Sequence, residues 1–403
     1  MIRAVGESIS RNFKEKKFRF SLERVNKKYI TLVGVSGILG VLLNSFLTLY
    51  LIEKGLSFSQ IGLLFSVYLG TTAVLDYPTG GLADKYGRRN IYIVGKLFTS
   101  LSYFILFFGI SFESLIFSYV LKGIGSSQLS GSLITWLGDT EDKEAYKNTL
   151  LRTKLISSVI KLIVPIIFIY LKLKNIGYLI LLTAIVDIII SIFVIIFFKE
   201  NYGSSDKLRK IYMNVIKLTL KEGKLRYIIW INIAIYTFFT IFIFTWQPIA
   251  KNILGDIKYI PVLFGIYSIF LSFGSYFIKL FHENTEKISF FIFFNMALSF
   301  VFFRISNTVQ SIVPLILALI FFGLASGLGY ILNSTYINNY APSKYKASIF
   351  SLVSSIATIA TFFIQIILGY IIEKSGFNSS FLIGIVISSL LLGNILQRKF
   401  KRD

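Results

Sequence analysis

Runs of roughly 20 apolar residues recur along almost the whole chain, separated by short polar or charged segments, and nothing else in the sequence narrows the possible folds as much. A helix rises about 1.5 Å per residue, so one such run covers the roughly 30 Å of a bilayer's hydrocarbon. With 55% hydrophobic and 15% charged residues among 403, the chain carries more apolar surface than one aqueous core can hide. Barrel strands would be about half as long and would alternate in polarity. The expected fold is an all-α integral membrane protein of twelve transmembrane helices. The first six lie over 29–52, 59–82, 91–110, 113–138, 151–171 and 176–198, and the second six over 227–249, 259–280, 287–304, 309–337, 343–372 and 377–396. Only Ser111 to Glu113 separate the third from the fourth.

A net charge of +22 would suggest a nucleic-acid partner in a soluble protein, but here the basic residues fall mainly between the spans. Residues 1–28 hold nine Lys and Arg, the central segment 199–226 holds eight and the tail 397–403 holds four. Cytoplasmic segments near helix ends carry such an excess, so both termini and the central loop are expected in the cytoplasm and the chain in the plasma membrane. Residues 1–28 lack a short apolar core followed by a small-residue cleavage site, so no signal peptide is expected. Within the central loop, 214–224 reads as a short surface helix with basic and apolar faces. The loop divides the spans six and six, a plan that places a substrate between two repeats near the bilayer midplane. Cysteine is absent and His282 is the one histidine, which leaves no thiol chemistry and no metal cluster; no cofactor is expected. Without a Gly-x-x-x-x-Gly-Lys-Ser/Thr loop, ATP-driven pumping is not expected, and no paired groups suited to enzymatic chemistry stand at one membrane face.

Between the second and third spans the chain reads Gly80-Gly81-Leu82-Ala83-Asp84-Lys85-Tyr86-Gly87-Arg88-Arg89. Gly80 permits close approach of a neighbouring helix, Gly87 permits a turn with positive φ, and Asp84 is suited to capping a helix amino terminus. The run resembles the cytoplasmic signature of the major facilitator superfamily, Gly-x-x-x-Asp-Arg/Lys-x-Gly-Arg-Arg/Lys, at all six defining positions. Softer likenesses lie in Asp76-Tyr77-Pro78-Thr79-Gly80, in Gly123, Gly125, Ser130, Gly131 and Trp136 of the fourth span, and in 341–348. The resemblance implies two six-helix bundles. It also implies that Asp84 holds the start of the eleventh helix and that Arg88 pairs with Asp139, closing a cytoplasmic gate in each cycle. The fifth span departs from the pattern: it has no glycine-rich antiporter motif, only Pro165 among Ser157, Ser158 and Lys161, which argues against drug–proton exchange.

Ionisable groups within hydrocarbon are costly and are functional candidates by default. Four stand out: Asp76, Lys122, Lys161 and Asp187. Asp76 is the preferred proton-coupling residue, on the premise that it is buried in an apolar bundle, with a structural ion pair or cap as the alternative. Asp187 is a second proton-coupling candidate, although the sixth span is peripheral in the family and a pairing within the bundle suits it as well. Lys161 either binds an anionic substrate group or acts as counter-ion to a carboxylate on another helix. Lys122 is expected to reach its amine toward the outer interface.

Gly37, Gly40, Asn44 and Thr48 share one face of the first span, the glycines for packing and the polar pair as cavity candidates. Trp246-Gln247-Pro248 in the seventh span and Ser326, Tyr330 and Asn333 in the tenth form further polar sets, and Gln128 adds one in the fourth. The resemblance makes Asn44, Thr48, Gln128, Trp246, Gln247, Tyr330 and Asn333 expected substrate contacts, since spans one, four, seven and ten line the family's cavity, and Lys161 of the fifth span is a further cavity candidate on account of its charge. The many Phe and Tyr residues are expected to face lipid or its interfaces. The function expected is a monomeric secondary transporter of a small solute, coupled to protons, working by alternating access. Efflux of an amphipathic organic compound is the first reading; uptake of an anionic metabolite and a non-transporting sensor or scaffold are the alternatives.

Overall fold

The computed structural model describes residues 26–400 except 131, 171–174, 202–218, 220, 278–280, 282–283, 341 and 343–345. Residues 214–218 and 220 of the proposed surface helix, His282 and much of 341–348 therefore lie outside the described residues, while 223 and 224 belong to a membrane-spanning helix that starts at Gly223.

Thirteen helices account for the described chain: α1 Lys27–Glu53, α2 Phe58–Tyr86, α3 Arg88–Phe108, α4 Phe112–Leu129, α5 Ser132–Thr140, α6 Lys143–Tyr170, α7 Gly177–Phe197, α8 Gly223–Leu254, α9 Ile260–Phe277, α10 Thr285–Val309, α11 Ile312–Tyr340, α12 Lys346–Ser375 and α13 Phe377–Phe400. Eleven are long and apolar enough to cross a membrane. The expected fourth span is divided between α4 and α5, neither of which is among those eleven. The sequence reads as one helix over 113–138, but the chain breaks after Leu129, where Ser130 leaves the helical region at ψ 114°.

Helix ends are set by local chemistry. The Asn26 side chain accepts from Tyr29 N at 3.0 Å to cap α1, and its Nδ2 donates to Glu141 at 2.8 Å, tying α1 to the α5–α6 turn. Ser57 and Gln60 form a reciprocal capping box on α2. Ser111 caps α4, so the short separator between the third and fourth crossings is a real break. Gly87 joins α2 to α3 at φ 97°, the positive φ expected there, and a Cβ at that position would stand 2.2 Å from the Glu200 carboxyl carbon.

Helices α1–α7 form one half and α8–α13 the other. The halves meet where α2 packs on α12, α6 on α9 and α1 on α8. Glycine makes the first of these contacts possible: a Cβ at Gly62 would lie 2.6 Å from Gln365 O, and one at Gly369 would lie 2.5 Å from Phe58 O. The second half has a dense aromatic core, with Phe238, Phe293, Phe300, Phe303, Phe322 and Phe381 fully buried. Phe108, Phe117, Phe273, Phe291 and Phe363 are exposed, so the phenylalanines divide between the outer surface and this core. With no hydrophobic drive between helices in lipid, close ring packing supplies dispersion contacts instead.

Candidate functional site: a cavity between the two halves

A cavity of about 710 Å³ lies between the halves. The face of the bundle at which α1 begins and α13 ends is called here the terminal face, and the opposite one the far face. Ser36 and Lys96, each within three turns of the terminal-face end of its helix, mark one extent of the cavity; Trp246 and Gln247, near the far end of α8, mark the other.

The far face is latched. Gln247 Oε1 accepts from Thr48 N at 3.0 Å and Leu49 N at 3.2 Å, while its Nε2 donates to Asn44 O at 2.8 Å. Thr48 returns the contact, its hydroxyl donating to Ile243 O at 3.0 Å. Thr48 N and Asn44 O are four residues apart, so the Gln247 amide bonds to both members of one rung of the α1 ladder. Beyond this latch Lys251 pairs with Glu53 at 3.0 Å, Ser59 N donates to Glu373 at 3.0 Å, and Ser66 donates to Phe362 O at 2.7 Å. These contacts join the halves on the far side of the cavity.

Deeper toward the terminal face, Lys96 Nζ on α3 meets Asp187 Oδ1 on α7 at 2.6 Å, and the Thr99 hydroxyl donates to Asp187 Oδ2 at 2.7 Å. All three residues are buried and line the cavity. Asp187 is thus both paired within its bundle and part of the cavity wall. The sequence reading missed Lys96, because five residues into the third span, just after a basic loop, it passes for a loop-flanking charge. Lys122 on α4 also lines the cavity, with its Nζ 5.4 Å from the Tyr68 ring centre, 5.4 Å from Tyr103 and 5.2 Å from Tyr119. It is surrounded by these rings rather than extended to an interface.

The remaining expected site residues divide sharply. Asn44, Thr48, Trp246 and Gln247 line the cavity, and in this conformation the Gln247 amide is engaged in the latch. Lys161 lies instead on a separate groove of about 370 Å³ between α6 and α9, beside Ser158 and Ser268, because its face of α6 turns toward the seam between the halves. Asn333 is held within the second half, accepting from Asn232 Nδ2 at 3.3 Å, and is not in the cavity wall. Gln128 is also outside the wall; it packs where α4 crosses Gly95, and its Oε1 is buried without a hydrogen-bond partner among the described residues. The side chain of Tyr330 lies outside what is described.

Asp76 shares a face of α2 with Phe65, Leu69 and Thr72, at spacings of four, three and four, and Phe65 and Leu69 are cavity residues. It therefore stands about 10 Å from Leu69 toward the terminal face. By accessible surface Asp76 is exposed in this conformation.

In the signature loop, Arg88 pairs with Asp139 and donates to Thr135 O at 3.0 Å, joining α3 to α5 as the resemblance implied. Arg89 donates to Ile195 O at 3.1 Å, and the exposed Lys85 lies 5.1 Å from the Tyr86 ring. The side chains of Gly80's neighbours and of Asp84 are outside the described set, so the contact of Asp84 with the eleventh crossing is too. Glu200, which the sequence did not single out, caps α3: it accepts from Arg89 N at 2.9 Å and Asn90 N at 3.0 Å.

Comparison with known proteins agrees with this architecture. The family model described as Major Facilitator Superfamily matches residues 30–364. A Bacillus subtilis (strain 168) protein described as an uncharacterized MFS-type transporter, YxaM, is 24% identical over 355 residues, covering 83% of this chain and 86% of that protein. Among solved structures, the nucleoside transporter NupG superposes with a TM-score of 0.77 at 12% identity, covering 92% of this chain and 98% of that one. A POT family transporter in complex with a thioalcohol-conjugated peptide gives 0.71 at 14% identity, covering 94% and 99%. At such identities the structural likeness speaks to fold alone.

Proposed function

Since this chain belongs to the major facilitator superfamily, we propose that it is a proton-coupled secondary transporter, monomeric in the plasma membrane with both termini in the cytoplasm, that carries a small organic solute by alternating access. The observation that supports this most directly is the Gln247 latch. It joins the halves at the far face through three hydrogen bonds made by one side chain, while the cavity reaches from it toward the terminal face. Closure at one end resting on a few separable contacts is what a rocking pair of bundles needs, because the barrier must be opened in every cycle. The basic signature loop at the terminal face supports a cytoplasmic setting for that face under the positive-inside rule.

Two carboxylates suit proton coupling. Asp187 sits in the cavity wall in contact with Lys96, so its protonation would loosen the α3–α7 pairing. Asp76 stands on the same helix face as the cavity residues of α2, on the route toward the terminal face. An exporter loads, and an importer releases, from this conformation. The sign of solute movement under an imposed pH gradient in proteoliposomes separates the two. Asp76→Asn and Asp187→Asn are expected to abolish gradient-driven accumulation while leaving solute exchange. Unchanged uphill transport in both variants rules out these carboxylates, and absence of any flux across a broad solute panel rules out transport.

A further inference from the structure

The transport reading leaves open which chemistry the cavity selects, and one group in its wall speaks to that. Lys122 is surrounded by Tyr68, Tyr103 and Tyr119 at 5.2 to 5.4 Å, within the range in which an ammonium is attracted to a ring face. Each ring comes from a different helix: α2, α3 and α4. Among the described residues Lys122 has no carboxylate within salt-bridge distance, whereas the other cavity lysine, Lys96, is neutralised by Asp187. The cavity wall therefore carries two ammonium groups against one carboxylate, and the excess positive charge resides on Lys122.

Ring faces compensate a cation only in part, and they supply no hydrogen-bond acceptor to its three N–H groups. The Tyr119 hydroxyl is buried and also lacks a hydrogen-bond partner among the described residues. A charged donor and an unpartnered hydroxyl thus occupy one corner of a cavity whose other walls include Phe65, Phe242, Trp246 and Phe264. We propose that Lys122 and its tyrosine cage form the anchor for a small organic anion, a carboxylate carried on an aromatic or apolar body. The carboxylate accepts from the ammonium and from a tyrosine hydroxyl, and the body packs on the aromatic wall. A cationic cargo meets repulsion from the same amine.

This site deepens the transport reading, and its test is a binding measurement that needs no flux. The purified full-length protein in detergent is titrated with benzoate, 2-naphthoate and indole-3-acetate, each beside its neutral primary amide and the corresponding amine, with ligand-induced thermal stabilisation as the readout. The acids are expected to bind roughly tenfold or more tightly than their amides, the cost of leaving a buried charged donor without its acceptor, and the amines weakest of all. Lys122→Gln removes the difference between acid and amide; Lys122→Arg retains it. A panel in which no acid outbinds its amide in the wild-type protein overturns the assignment even if Lys122→Gln fails to fold, as does a folded Lys122→Gln that keeps the acid preference. Acid-selective binding without flux in proteoliposomes leaves the anion site standing and removes transport. Flux of neutral or cationic solutes without acid selectivity does the reverse.

Discussion

Replacing Gln247 with Ala removes the three hydrogen bonds by which one side chain holds α8 against α1. Hydrogen bonds between membrane helices average about 0.6 kcal/mol each, so their sum is about 2 kcal/mol. The folded state loses little of this, because Thr48 N and Asn44 O are the two ends of one rung of α1 and have each other as partners once the amide is gone. The loss falls instead on the conformation latched at the far face, since that is where the two halves are joined. A change of about 2 kcal/mol alters a two-state population ratio by about 30-fold. The chain contains no cysteine, so a single Leu43→Cys introduces a unique thiol into the cavity wall just inside the latch. Labelling of that thiol by a membrane-impermeant reagent applied to the far face is expected to rise tenfold or more in Gln247→Ala. Lys251→Ala, which breaks only a half-exposed ion pair of about 0 to 1 kcal/mol, is expected to change it a few-fold at most. Equal labelling rates in Gln247→Ala and its parent would refute the assignment of the far-face barrier to this amide.

Lys96→Met and Asp187→Leu each leave a buried charge without its partner and are expected to lower thermal stability strongly, by about 3 to 5 kcal/mol. The double variant is expected to recover much of that loss, and additive losses in a thermal-unfolding series would contradict the pairing. Gly62→Val places side-chain atoms where Gln365 O approaches to 2.6 Å of the modest Cβ position; it should separate α2 from α12 and abolish transport while expression persists, as scored by flux and by yield of monodisperse protein. Arg88→Ala removes the partner of Asp139 and the donor to Thr135 O, and an unfolding temperature lower than that of Asp139→Asn is expected, because Arg88 is the more buried member of the pair.

The placement of eleven of the twelve expected crossings was legible from the residues because each crossing satisfies its own backbone hydrogen bonds and answers to lipid, a solvent whose thickness sets a length. The Gly87 turn and the Arg88 to Asp139 pairing were legible for a related reason, since a glycine's φ is a local property and the signature has a fixed spacing. The break at Ser130 was not, because α4 and α5 are both apolar and only the packing of α4 on α3 reveals where the helix stops.

What the tertiary structure alone decided is which side of each helix meets which neighbour. Lys96 and Asp187 lie 91 residues apart and Gln247 and Asn44 lie 203 apart, and no pattern within either segment announces its partner. Lys161 faced the cavity on paper and faces a lateral groove in space, while Lys122, assigned to an interface, stands among three rings in the cavity. Hydropathy reports that a helix crosses the bilayer. Its rotation about its own axis comes from glycine approaches, ring packing and interhelical hydrogen bonds, which exist only once the two halves have assembled.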